Sequence, residues 1–282
     1  MKRDCHRKLI PLTTGLMLAL ALPAGATMIH GAEAAPEPIK AAVLKSTGTL
    51  FLSQTIWREL NADWSQFGQR PVEIDYRTAA GTITPQVLES TGADVLIISA
   101  AGFFPYETIE AQAIIDYVEA GHGIIITYHS FEGVNRLLAP LVGLSPTIHL
   151  GAVGVINPLQ FDLLMPSHPL FGDVGSNYTS GVPFRARPSP PKTWRIDGGT
   201  VIANQFTVNS PSQPGIIVNQ TETFRGVYFS HYIEDKRAGT NRQDMQVFYN
   251  ALLWTAEIPE PVTACILVLG APLVFGRRHG RR

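Results

Sequence analysis

The chain has 282 residues, 22 Lys and Arg against 23 Asp and Glu, 25 Gly and 21 Pro. Only 16% of residues are charged and 45% are hydrophobic, with no glycine period and no heptad, which excludes collagen-like, coiled-coil and disordered chains. Basic residues concentrate in 1–35 and 258–282, so residues 36–257 are net acidic; such a domain is a poor partner for phosphate backbones, and no nucleic-acid binding is expected.

The first element in chain order is an address. Lys2, Arg3, Arg7 and Lys8 precede the apolar run Leu9 to Leu22, and small-residue cleavage sites follow at Ala24-Gly25-Ala26 and Ala32-Glu33-Ala34. A basic start, a short apolar stretch and small residues form the pattern of a secretory signal, and the run is shorter than the roughly 20 residues a membrane helix needs. Residues 1–35 are therefore expected to be a signal peptide, cleaved at Ala26 or Ala34, and 36–257 an exported domain. That domain contains neither of the two cysteines, Cys5 and Cys265, so it has no disulfide and no thiol nucleophile. A domain of this length buries about 70–75% of its unfolded surface and needs no staple.

Ala41 to Leu44 reads as a strand, and Ile56, Leu60 and Trp64 recur at helical spacing. Val72 to Tyr76 is a second strand. Thr84 before Pro85 is the cap and first turn of a short helix. Asp94-Val95-Leu96-Ile97-Ile98-Ser99 is continuous rather than alternating, as a strand covered on both faces should be. A helix is predicted over 107–119, closed by Gly121, and then a fourth buried strand over Gly123 to Tyr128. This rhythm predicts an α/β fold, a three-layer flavodoxin-like parallel sheet with helices on both faces. Residues 144–191 show only weak strand candidates such as Val153 to Ile156, and Pro183 to Pro191 reads as a surface excursion. Strands return at 201–204, 215–219 and 223–229, and a final helix over 244–256 carries Val247, Phe248, Ala251, Leu252 and Trp254.

The last stretch, 258–282, is again an address. Pro259-Glu260-Pro261 is followed by the apolar run Val262 to Phe275 and then by Arg277, Arg278, Arg281 and Arg282, the layout of a stop-transfer segment. It resembles a PEP-CTERM sorting signal. The resemblance implies a transmembrane segment, recognition by an exosortase-type membrane enzyme near Pro259, Glu260 and Pro261, and association with exopolysaccharide at the cell exterior.

In open parallel sheets ligands bind at the carboxyl ends of the strands, which selects Ser99 after the third strand and Tyr128, His129 and Ser130 after the fourth. His129 is the sharpest candidate, since imidazole titrates near neutrality and serves as acid, base or hydrogen-bond partner. Ser130 lacks glycine two residues to either side, so it does not form a nucleophile elbow. His168, in the loop Ser167 to Gly172, and His231, after the strand ending at Phe229, complete the candidate catalytic set, with Ser99, Tyr128 and Ser130 as binding residues. No histidine or cysteine spacing is that of a metal site, so neither a metal nor a cofactor is expected. His122, between Gly121 and Gly123, belongs to a helix-to-strand turn. Arg185, Arg187, Lys192 and Arg195 form the one basic cluster and read as a solvated loop, or else as a contact for an anionic polymer.

The run 94–98, residues 112–118 leading into Gly121-His122-Gly123 and on to Tyr128-His129, the pair His168-Pro169, and Arg225 to His231 with the helix ending near Trp254 together resemble the class I glutamine amidotransferase-like fold, in its ThuA-like branch. The resemblance covers roughly 41–257 and implies a link to sugar utilisation, with His129 standing where amidotransferases carry cysteine. Without that cysteine, glutamine hydrolysis through a thioester is not available. Two readings follow: an exported, exosortase-sorted envelope protein whose domain binds a carbohydrate or surface partner, or a ThuA-like enzyme acting on a sugar derivative with His129 as acid or base.

Overall fold

The computed structural model describes residues 36–257 apart from 46–54, 77–80, 100–105, 129–130, 132, 155–158, 189–192 and 208–209. In chain order the elements are β1 (Ile39–Val43), α1 (Trp57–Asp63), β2 (Val72–Asp75), α2 (Pro85–Thr91), β3 (Val95–Ile98), α3 (Thr108–Glu119), β4 (Gly123–Thr127), β5 (Leu150–Gly154), β6 (Leu159–Leu163), β7 (Tyr178–Ser180), β8 (Phe184–Pro188), β9 (Thr200–Thr207), β10 (Ser210–Gln220), β11 (Arg225–Phe229) and α4 (Arg242–Ala256). Short 3-10 helices cover Trp64–Gln66, Gly133–Val142, Pro169–Phe171 and Lys236–Ala238.

Among the described residues, nine strands form one sheet in the order β2-β1-β3-β4-β11-β10-β9-β6-β7. The first five are parallel, and with β11 as the fifth they reproduce the flavodoxin-like order 2-1-3-4-5. The remaining four add antiparallel, so the sheet is mixed rather than all-parallel as expected from the first half. The reason is connection length: only two residues separate Thr207 from Ser210, whereas a parallel pair needs a crossover of a dozen or more.

Period-2 alternation splits each parallel strand between two cores. Ile39, Ala41 and Val43 of β1, Val95 and Ile97 of β3, and Val227 and Phe229 of β11 pack with Trp57 and Leu60 of α1 and Val247, Phe248 and Leu252 of α4. Ala42, Leu96, Ile98, Ile124, Ile126 and Tyr228 face the other way, onto Leu88 of α2, Ile114 and Val118 of α3, and Leu138 to Val142. Helices thus cover both faces, and each fully buried Leu, Ile, Val or Phe contributes about 1.5–3 kcal/mol. Close approach is bought with glycine at β11, where a Cβ on Gly226 would stand 2.1 Å from the Leu141 carbonyl oxygen.

The stretch 144–191 is richer than its sequence suggests, carrying β5 to β8. β8 pairs antiparallel with β5, and the expected surface excursion at 183–191 is corrected accordingly: Arg185 and Ala186 are buried. Its strands are three to five residues long and pair with distant segments, so no local period announces them.

Candidate functional site

The carboxyl ends of β3, β4 and β11 meet at a buried acid. Thr127, the last residue of β4, donates through Oγ1 to Glu234 Oε1 at 2.5 Å, and Ser99, just past β3, donates to the same oxygen at 2.7 Å. Glu234 is fully buried, and burial raises its carboxyl above the ordinary range despite those two donors. Its backbone oxygen accepts from Ile56 N at 3.1 Å, anchoring the segment after β11 beside the start of α1. The next residue, Asp235, is committed elsewhere: it pairs with Arg237 at 2.8 Å and caps Lys236–Ala238.

Tyr128 follows Thr127 in a left-handed backbone conformation, φ 51°. An aromatic residue there stores about 1–3 kcal/mol of strain and persists only where its surroundings over-determine it. Two hydrogen bonds do so: Tyr128 N donates to Phe229 O at 2.6 Å, and the Tyr228 hydroxyl donates to Tyr128 O at 2.5 Å. The strained turn at the end of β4 is therefore occupied by Tyr128. The Tyr128 ring lies 3.8 Å from that of Tyr232, and Phe184 meets Tyr232 edge-on at 6.0 Å. Tyr232 is half-buried and Phe184 exposed. Burial pushes the Tyr128 phenol up to about 12 and raises that of Tyr232 as well, so both hydroxyls stay protonated at neutral pH.

Of the residues selected from sequence, Ser99 and Tyr128 stand at this edge, while His129 and Ser130 lie outside the described residues, as do Pro259, Glu260 and Pro261. His231 is fully buried against Phe161, 4.9 Å between ring centroids, and its Nε2 is 3.1 Å from the Tyr178 hydroxyl, which donates to Asp244 at 2.5 Å. His168 lies at the opposite end of β11. It caps Pro169–Phe171 by accepting from Leu170 N at 3.3 Å, and its ring is 5.1 Å from that of Trp254, over which Arg225, the first residue of β11, also stacks. Burial, with Arg225 nearby, pushes the His168 pKa down to about 4. The fold thus does not bring His168 and His231 together. Among the described residues no group of three or more His, Cys, Asp or Glu could hold a metal ion. His122 stacks on Tyr117 at 3.9 Å in its turn. Among the described residues no helix is long and apolar enough to cross a membrane; the apolar run 262–275 lies outside them.

Glu234 is the residue that sequence reasoning missed. The signal was available: Glu234 lies five residues past the end of β11, in the carboxyl-end position that selected Ser99 and Tyr128.

No family model matches the chain, and no curated protein sequence matches it. Solved structures do. A ThuA-like protein from Bacteroides uniformis superposes with a TM-score of 0.53 at 13% identity, covering 80% of this chain and 94% of that one. A ThuA-like protein from Parabacteroides merdae gives 0.51 at 12% identity over 78% and 90%. A cytoplasmic protein from Salmonella typhimurium gives 0.51 at 14% identity over 77% and 98%. At these identities the likeness is one of fold: an α/β domain with a mixed sheet, of the kind found in ThuA-like proteins.

Proposed function

We propose that the chain is an exported, exosortase-sorted envelope protein whose domain binds a carbohydrate at the carboxyl edge of its sheet. The observation that carries the reading is the half-buried Tyr232 ring, tilted against the buried Tyr128 and met edge-on by the exposed Phe184, next to the hydroxyls and carboxyl of Ser99, Thr127 and Glu234. Aromatic walls with a few fixed polar groups are the usual make-up of a small-ligand site, and a sugar ring offers an apolar face to one and hydroxyls to the other. The signal-like and sorting-like segments at 1–35 and 258–282 supply the route to the cell exterior, and an exosortase-type enzyme and the membrane are the partners they imply.

The alternative, an enzyme acting on a sugar derivative with His129 as acid or base, draws support from Glu234. Burial raises the Glu234 carboxyl, which is the direction of tuning a general acid requires. Asp235, the adjacent acid, is engaged by Arg237, and glycoside hydrolysis ordinarily needs two carboxyl groups across the bond. Binding is therefore the preferred reading.

The test is the melting temperature of the full-length protein against a panel of neutral mono- and oligosaccharides. A ligand at about 1,000 times its Kd stabilises by roughly 4 kcal/mol, and each kcal/mol moves the midpoint by about 2–4 °C in a domain of this size. The expected result is a shift with at least one sugar that disappears in Tyr232→Ala; shifts that survive that substitution, or none with any sugar, overturn the proposal. Incubation of wild type and His129→Ala with the sugar that binds, followed by NMR for new products, separates the two readings. Turnover lost in His129→Ala selects the enzyme, and no turnover leaves the binding module.

A further inference from the structure

β8 crosses just beyond the carboxyl end of β11, where Ala186 N donates to Ser230 O at 2.5 Å and Arg185 forms an isolated antiparallel bridge with His231. Bridge partners share a face, so Arg185 and His231 lie on the side of the crossing away from Phe184 and Tyr232. Arg185 is 3% exposed, yet neither its Nε nor its Nη1 has a hydrogen-bond partner among the described residues. A guanidinium is rarely buried unless paired, because removing a charge from water costs far more than it returns. Arg187, two residues on and so on the same face of β8, is exposed and enters none of the ion pairs among the described residues. Gly151 stands opposite Arg187 in the β5–β8 ladder, so no side chain from that strand covers it.

The surroundings specify more than charge. Gln205 donates through Nε2 to Ala186 O at 3.0 Å and Pro214 O at 3.1 Å, which leaves its buried Oε1 without a partner. Gln213, opposite Gln205 in the β9–β10 ladder, likewise has an unpartnered Oε1. His231, packed on Phe161, which itself pairs with Gln205, has an unpartnered Nδ1. The nearby carboxylate of Asp244 is already spoken for: it lies on the Nε2 side of His231, 3.8 Å away, and accepts from Tyr178, Gly181 N and Asn241 N. Among the described residues, one face therefore holds unmatched cationic donors beside unmatched carbonyl acceptors.

We propose that Arg185, Arg187, Gln205, Gln213 and His231 form a binding site for a small hydroxylated anion, the chemical class of sugar acids and sugar phosphates. The anionic group pairs with the two guanidinium groups, and ligand hydroxyls donate to the glutamine oxygens. This site lies on the other side of β8 from the Tyr128–Tyr232 surface and does not depend on what binds there.

The experiment is calorimetric titration of the full-length protein at constant ionic strength with gluconate, glucose 6-phosphate, inorganic phosphate and glucose, on wild type, Arg185→Met and Arg187→Gln. The expected result is binding of gluconate, glucose 6-phosphate or both that weakens in Arg187→Gln, while the glucose trace is the same in wild type and Arg187→Gln. Affinity should fall at least about tenfold in Arg187→Gln and be lost in Arg185→Met, as removal of a charge-assisted pair requires. Response to gluconate alone assigns a carboxylate, and response to glucose 6-phosphate with inorganic phosphate as a weaker competitor assigns a phosphate. Arg187 is exposed, so its variant keeps the fold and remains decisive if Arg185→Met does not express. No binding of either hydroxylated anion, or binding equal in wild type and Arg187→Gln, overturns the proposal.

Discussion

Glu234 titrates differently in the folded and unfolded chain, and the sign of the difference can be worked through. Burial favours its neutral form, so its folded pKa stands above the ordinary 4.5. A raised acid contributes its stability fully below the unfolded pKa and loses it as pH rises through the folded one. Glu234→Gln keeps an acceptor for Ser99 and Thr127 and removes the titration. Melting curves of the two proteins from pH 4 to 8 should therefore converge at the acid end, with wild type falling relative to the variant as pH rises; parallel curves would show that Glu234 does not titrate as its burial requires. Glu234 and Arg185 also mark the limit of reading single residues from sequence. Ser99 and Tyr128 were selected because a strand's end is a local event. Glu234 acquires its role from Thr127 and Ser99, both more than a hundred residues away in the chain. Arg185 sits among Pro, Arg and Ser residues that read as solvated loop, and only pairing with β5 and His231 buries it.

The helix α4 was legible because its signals are local. Its apolar residues recur at helical spacing, and Asn241 and Asp244 form a reciprocal capping box at its start. Asn241 Oδ1 accepts from Asp244 N at 3.0 Å, and its Nδ2 donates to Thr179 O at 2.7 Å, which ties the cap to β7. Asn241→Ala should cost about 1–2 kcal/mol, at the upper part of the range for a lost cap because a tertiary bond goes with it. Urea unfolding measures this as a lower midpoint at unchanged slope; a midpoint within error of wild type would mean that packing of Phe248 and Trp57, 5.2 Å apart, holds the helix without its cap. The strands β5 to β8 have no comparable internal signal. β7 is three residues long, and β8 follows Pro183 and ends at Pro188, so their existence rests on partners that a window of sequence cannot contain.

Across the chain, the expected organisation into 1–35, 36–257 and 258–282 makes its own prediction. Intact-mass analysis of protein expressed in a Gram-negative host with an exosortase should find the first 26 or 34 residues removed, and replacement of Pro259, Glu260 and Pro261 by alanine should hold a longer form on the membrane. A full-length product in the cytoplasm would overturn the export reading. Within 36–257, the alternation of strand and helix through Tyr128 was enough to establish an α/β domain, because each buried parallel strand declares itself as a continuous apolar run and each covering helix by its 3.6-residue period. The same patterns also located the carboxyl edge of the parallel strands, the end at which open parallel sheets take ligands. Only the tertiary structure decided that four antiparallel strands extend the sheet, that Tyr128 occupies the strained turn, that His168 and His231 stand at opposite ends of β11, and that Glu234 and Arg185 are buried. Periodicity records which face of an element meets the core, a property of neighbours along the chain; register, antiparallel addition and buried polar partners depend on segments far apart in sequence, and these are settled when the chain packs.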